Sequence, residues 1–251
     1  MIIGKRFTNS DSNGDDDSAR SNPLHVQTTS GPILGYEFSW SDGSELYGWQ
    51  GIPFASPPTN DLRWRAPIDP VSWTNTLECK DMKPACVQNS GSGQEDCLYL
   101  NVYVNAKPAN KGPYPVLFYI HGGGLMGGST ADDQFGGFIS HAGNGDGIVV
   151  VQASYRLNIF GFLATSELSY EQNDHSGNYG IQDQIKALQW VRDNIAQFSK
   201  FITTICCVMS CFYHSFIHSL RCSIYLLLVA VHRYTLWILA RSYISYLHIF
   251  T

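Results

Sequence analysis

Nowhere in these 251 residues does the pattern Gly-x-Ser-x-Gly occur. That spacing seats a serine on a tight strand-to-helix turn with its hydroxyl exposed. Its absence removes the usual way of presenting a serine nucleophile on an α/β sheet. A second scarcity is regional. Residues 201–251 contain no Asp, Glu, Lys, Asn, Gln, Gly or Pro, and their only formal charges are Arg221, Arg233 and Arg241. A stretch without turn formers or carboxylates is unlike the body that precedes it, so the two are read separately.

The body is acidic. The first 200 residues hold 13 basic against 21 acidic side chains, a net charge of −8. Such a surface offers no basic patch to neutralise phosphates, and nucleic acid is not an expected partner. Residues 1–23, rich in Ser, Asp, Asn and Gly with a run at Asp15-Asp16-Asp17, read as a solvated, disordered tail. No apolar segment follows Lys5-Arg6, so no secretory leader is read there. Of the seven cysteines, Cys79, Cys86 and Cys97 lie in the body and Cys206, Cys207, Cys211 and Cys222 in the tail. Cys86 and Cys97 flank a short Gly/Ser loop and could close a disulfide, which would belong to an oxidising compartment. A zinc site is the competing use. No Cys-x-x-Cys spacing supports it, and no metal is expected.

Along the chain, Val26 to Gly35 reads as strand and turn. The segment Gly51-Ile-Pro-Phe-Ala-Ser-Pro57-Pro58 cannot be helical, because each proline fixes φ and restricts the residue before it. Leu98, Leu100, Val102 and Val104 alternate, which predicts a strand with one buried face. Pro115–Ile120 and Ile148–Tyr155 are continuous apolar runs, as expected of strands covered on both faces. From Gln182 to Phe198 the period changes: Ile185, Leu188, Trp190, Val191, Ile195 and Phe198 recur at helical spacing. Asp183, near the start, is placed to complement the helix dipole. Strand, loop, strand and helix make the rhythm of an α/β fold with a parallel sheet.

The first apolar run leads into His121-Gly122-Gly123-Gly124. Glycines after a buried strand let backbone N–H groups approach a substrate oxygen and stabilise it as it becomes an oxyanion. A His-Gly-Gly-Gly loop of this kind is used by lipases and esterases. Four other blocks surround it. Gln94-Glu95-Asp96-Cys97-Leu98-Tyr99-Leu100-Asn101-Val102-Tyr103 resembles a signature of the type-B carboxylesterase/lipase family. Gly51-Ile-Pro-Phe-Ala with Pro57-Pro58 and Leu62-Arg63-Trp64 resembles its N-terminal block. Ser154-Tyr155-Arg156-Leu157 with Phe160-Gly161-Phe162-Leu163 looks like another. Gly177-Asn178-Tyr179-Gly180 with Asp183-Gln184 and Ala187-Leu188-Gln189-Trp190-Val191 resembles the helix that precedes the nucleophile.

The resemblance covers residues 24–198 and implies an incomplete α/β-hydrolase fold, ending at that helix. It also implies that Gly123 and Gly124 supply the oxyanion-hole N–H groups and that Cys86 and Cys97 form the family's first disulfide. The short loop between these cysteines implies a reduced lid, since many members carry a substrate-covering loop there. Arg63 with Glu95, and Arg156 with Asp183, resemble two internal ion pairs that hold loops rather than do chemistry. The activity implied is hydrolysis of a small-molecule or lipid carboxylic ester, by acyl transfer through a serine and without a cofactor. A secreted intact relative is expected, although no leader is read in these residues.

In the family, the helix is followed by a Gly-Gly-Asp-Pro-like turn, a strand and a Gly-Glu-Ser-Ala-Gly elbow. Here the sequence continues Ser199-Lys200-Phe201-Ile202-Thr203. No triad residue is assigned. Ser129 reads as loop packing, His121 as structural, and His141 and His175 have no recognisable partner. These 251 residues alone are therefore expected to be inactive. The alternative is a non-catalytic, esterase-like binding or adhesion module tethered by its tail. Residues 199–251 have two readings. One is translated intron or frame-shifted sequence: Ser-Lys-Phe can be written AGTAAGTTT, which contains the splice-donor-like string GTAAGT. The other is membrane association through 208–240, but Arg221, His232, Arg233 and Arg241 interrupt it, and a central arginine costs roughly 2.5–3.5 kcal/mol on insertion scales. Without the nucleophile strand, the strand ending at Ile120 would keep an exposed apolar edge, and the chain is expected not to fold stably alone.

Overall fold

The apolar runs become strands of one mixed sheet. The computed structural model describes residues 22–39, 43–107, 114–131, 147–172 and 176–198, and the backbone of strands at 202–209, 227–232 and 235–240. In chain order the strands are β1 (His25–Gln27), β2 (Pro32–Leu34), β3 (Tyr36–Ser39), β4 (Glu45–Pro53), β5 (Leu77–Glu78), β6 (Tyr99–Asn105), β7 (Tyr114–Ile120), β8 (Val149–Ala153), β9 (Ile202–Met209), β10 (Leu227–His232) and β11 (Thr235–Ala240). The helices are α1 (Asn158–Phe162), α2 (Ser166–Glu171) and α3 (Tyr179–Asn194), the last extended by a 3-10 turn over Ile195–Gln197.

The six-stranded sheet has the order β3-β4-β6-β8-β7-β9. Its first half is antiparallel, and β8, β7 and β9 run parallel to one another. Parallel neighbours need crossovers, and α3 lies in the one between β8 and β9. A small sheet, β1-β2-β5, and a hairpin, β10-β11, complete the described strands. The tail of residues 1–21 and the loop histidines His141 and His175 lie outside the described residues. So does much of 208–240. Among the described residues no helix is long and apolar enough to cross a membrane.

Three expectations are corrected here. The first concerns β6, which is buried on both faces, not one. Its polar positions have partners inside the protein. Asn101 Oδ1 accepts from Gly51 N–H at 2.9 Å, where β4 bulges between Trp49 and Ile52, and Tyr103 accepts from Gln50 Nε2 at 2.8 Å. The polar alternation was therefore not a solvent face, because a satisfied polar group can be buried at little cost. Burial pushes the Tyr103 phenol up to about 12.

The second concerns Asp183, which does not sit at the helix start. The helix begins four residues earlier at Tyr179, and Asp183 is fully buried against Arg156. Of the apolar period expected here, Ile185 is exposed and Leu188 half-buried, while α3 buries Ala187, Trp190 and Val191 on the sheet and Phe198 lies edge-on to Trp49 at 4.9 Å between ring centroids.

The third concerns the edge of β7. Strand β9 pairs with it in parallel from Tyr114↔Ile202 to Ile120↔Met209, with one register shift. The expected open edge is thus covered by the segment that follows the helix. The physical reason offered for an unstable chain, an unpaired row of backbone groups, is removed.

Candidate functional site

Strand β7 delivers the glycine loop at its carboxyl end, the usual place for ligand sites in open α/β sheets. His121 is 2% exposed. Its ring stacks on Tyr155 at 4.5 Å, and the Tyr155 hydroxyl donates to the His121 carbonyl at 2.9 Å. Its Nδ1 lies 3.0 Å from the neighbouring Gly122 carbonyl. This histidine is part of the wall that ends the strand.

Beyond it the chain turns sharply. Gly123, Gly124 and Leu125 have φ of +121°, +61° and +63°. The N–H groups of Met126 and Gly127 both donate to the Gly123 carbonyl, at 3.0 and 3.2 Å. A Cβ at Gly123 would stand 2.1 Å from the Gly127 carbonyl oxygen, so the turn cannot close with any side chain there. Among the described residues, neither the Gly123 nor the Gly124 N–H donates to a backbone carbonyl. Gly124 is exposed, and so are Leu125 and Met126. The arrangement is a rigid turn with two backbone donors available and an apolar rim.

Asn158, at φ +47°, braces the loop from the other side. Its N–H donates to the Leu125 carbonyl at 2.7 Å and its Nδ2 to the Val87 carbonyl at 2.6 Å. The reading of the sequence had no role for Asn158. Asparagine's tolerance of left-handed backbone is a local signal that could have flagged it.

Cys86 and Cys97 form a disulfide, with Cα atoms 5.0 Å apart. The two ion pairs differ in kind. Asp183 Oδ2 accepts from Arg156 N–H at 3.0 Å and Nε at 2.8 Å, and Oδ1 from Nη2 at 2.7 Å. The two side chains are 3% and 0% exposed. Burial pushes the Asp183 carboxyl upward, and the hydrogen bonds and charge of Arg156 oppose it. The Arg156 guanidinium also lies over the Tyr179 ring at 5.5 Å. Arg63 and Glu95 meet through two bonds of 2.6 Å, which hold the guanidinium more firmly protonated. Their side chains are 36% and 22% exposed, so this pair is solvated and tethers a surface loop. Ser129 Oγ accepts from Ala131 N–H at 3.1 Å, inside its own loop.

A glycine turn at the end of a central parallel strand, braced by a disulfide loop on the order β6-β8-β7-β9, defines an α/β-hydrolase sheet, incomplete in this chain. The profile of the carboxylesterase family matches residues 22–199, and the chain belongs to that family. It is 40% identical over 180 residues to a fumonisin B1 esterase of Sphingopyxis macrogoltabida, an alignment covering 68% of this chain and 32% of that one. It is 39% identical over 190 residues to a probable cholinesterase of Acanthamoeba polyphaga mimivirus, covering 71% and 32%. Among solved structures it superposes on a Geobacillus stearothermophilus carboxylesterase with a TM-score of 0.60 and 34% identity, over 72% of this chain and 37% of that one. The chain thus spans about a third of the length of the curated relatives it matches.

Proposed function

We propose that this chain carries the oxyanion-stabilising part of a carboxylic ester hydrolase and does not itself turn over ester. The observation that carries the reading is the turn at Gly123 and Gly124, whose N–H groups are left available at the end of β7. In an intact esterase, attack by a serine on the ester carbonyl builds a tetrahedral intermediate, and its oxygen would accept from these two groups. Fixed donors of this kind contribute because they need no reorganisation as charge develops. In these 251 residues no Gly-x-Ser-x-Gly follows the helix, and none of their serines is assigned as a nucleophile. Ester substrates, small or lipid, are proposed for the intact enzyme. The disulfide supports an oxidising, extracellular location for it. Residues 24–198 are read as the family domain's first part, 1–23 as a tail, and 199–251 as intron-derived or frame-shifted.

Hydrolysis of a para-nitrophenyl ester by purified chain is the test. The expected rate equals that of a Gly124→Ala variant and of buffer. Turnover well above both would overturn the proposal, because it would require a nucleophile and base among these residues.

A further inference from the structure

The short disulfide loop reaches the glycine turn through the side-chain amide of Gln88 and the backbone N–H of Asn89. Gln88 stands two residues after Cys86 and is half-buried. Its Nε2 donates to the Cys86 carbonyl at 2.7 Å and to the Gly128 carbonyl at 3.0 Å. Its Oε1 accepts from the Gly128 N–H at 2.7 Å. A primary amide presents donor and acceptor in one plane, so it can pair with a residue's N–H and C=O as a neighbouring strand would. The packing is close: a Cβ at Gly127 would stand 3.0 Å from Gln88 Oε1.

Gln88 is itself held. Its N–H donates to the Ser92 carbonyl at 2.7 Å, and its carbonyl accepts from Gly91 N–H at 2.9 Å. The adjoining Asn89 N–H donates to the Met126 carbonyl at 2.8 Å. The glycine turn is therefore held along its length, by Asn158 at Leu125 and Asn89 at Met126 between its two ends. His121 and Tyr155 hold its near end, and Gln88 holds its far end at Gly128. Gly123 and Gly124 lie between them. Gly128 has φ +104°, so the far end is also a place where backbone freedom is large when unpaired.

We infer that Gln88 is a positioning residue for the glycine turn, fixing residues 122–128 and tying them to the Cys86–Cys97 disulfide. It touches no reacting atom. The inference rests on the reading of Gly123 and Gly124 as oxyanion donors for its functional meaning, but the positioning itself is measured apart from any ester. A turn that must offer donors in one geometry loses its use if it samples several.

The test is residue-resolved amide hydrogen exchange on the full 251-residue chain, comparing wild type with Gln88→Met and Gln88→Glu. Methionine keeps the bulk and loses both hydrogen-bonding roles. Glutamate keeps the acceptor for Gly128 N–H. In Gln88→Met, the hydrogen-bonded amides of the turn, Met126, Gly127 and Gly128, should exchange about tenfold faster or more, with those of β8 and α3 unchanged. In Gln88→Glu, the Gly128 amide should keep its protection. The inference is overturned by any of three results: exchange at Met126, Gly127 and Gly128 within twofold of wild type in Gln88→Met, faster exchange spread evenly through β8 and α3, or Gln88→Glu behaving as Gln88→Met. Failure of the oxyanion reading would show instead in the ester assay, and would leave these exchange rates as they are.

Discussion

Removing the carboxylate of Asp183 leaves the Arg156 guanidinium buried with its main partner gone. The pair is enclosed, at 3% and 0% side-chain exposure, and three hydrogen bonds converge on the one carboxylate. One further bond, from Arg156 Nη2 to the Arg65 carbonyl at 2.9 Å, would survive. Breaking a buried pair on one side costs about 3–5 kcal/mol. For a chain of this size that is a fall in Tm of roughly 6–20 °C at 2–4 °C per kcal/mol. Asp183→Ala should show the fall in Tm in thermal melts, and the free-energy loss in urea melts, both followed by circular dichroism. The double variant Arg156→Met/Asp183→Leu should recover most of the loss, since apolar side chains of similar volume replace a buried pair at little cost. Glu95→Ala should shift the melt far less, because water takes up the freed Arg63 charge. A cost below about 1 kcal/mol for Asp183→Ala, or a double variant no more stable than the single one, would mean that the buried pair does not hold the fold in this way.

Cys79 is fully buried, and burial pushes its thiol up to about 12. Native protein at pH 8 should therefore resist iodoacetamide at this position until it unfolds; rapid alkylation would contradict the burial. The same shift makes the fold lose stability with rising pH. The thiol stays protonated in the folded state and ionises in the unfolded one, so the loss runs from about pH 9 to pH 12 at ~1.4 kcal/mol per pH unit. Cys79→Ala should flatten that slope. The pairing of β9 with β7 predicts that residues 1–209 stay soluble while residues 1–198 aggregate through the bared edge of β7. Equal behaviour of the two truncations in light scattering would show that β9 protects nothing.

Much of this was legible because three signals are local. Continuous apolar runs marked β7 and β8, helical spacing marked α3, and the triple glycine marked the turn. What the sequence hid was whatever depends on a partner far along the chain. Asn101 and Tyr103 looked like an outward face of β6, yet Gly51 and Gln50 satisfy them inside. Asp183, read from its position alone, looked like a dipole partner, and only the family resemblance paired it with Arg156. Arg63–Glu95 and Arg156–Asp183 read alike, and only packing separates the solvated pair from the buried one. Gln88 and Asn158 carry no motif of their own. Strand β9 lies in a stretch without Gly, Pro, Asn or Asp to bound it, and its place became visible through its register with β7.

The central claim is that the glycine turn belongs to an esterase whose serine these residues do not carry. Transcript sequencing across codons 195–205 tests it most directly. Spliced reads that join Phe198 or its neighbours to a segment encoding Gly-x-Ser-x-Gly are expected, with the tail absent from the dominant product. Unspliced reads running through Thr251 to a stop codon, and dominating, would contradict it and make the chain with β9 in place the protein whose role must be explained.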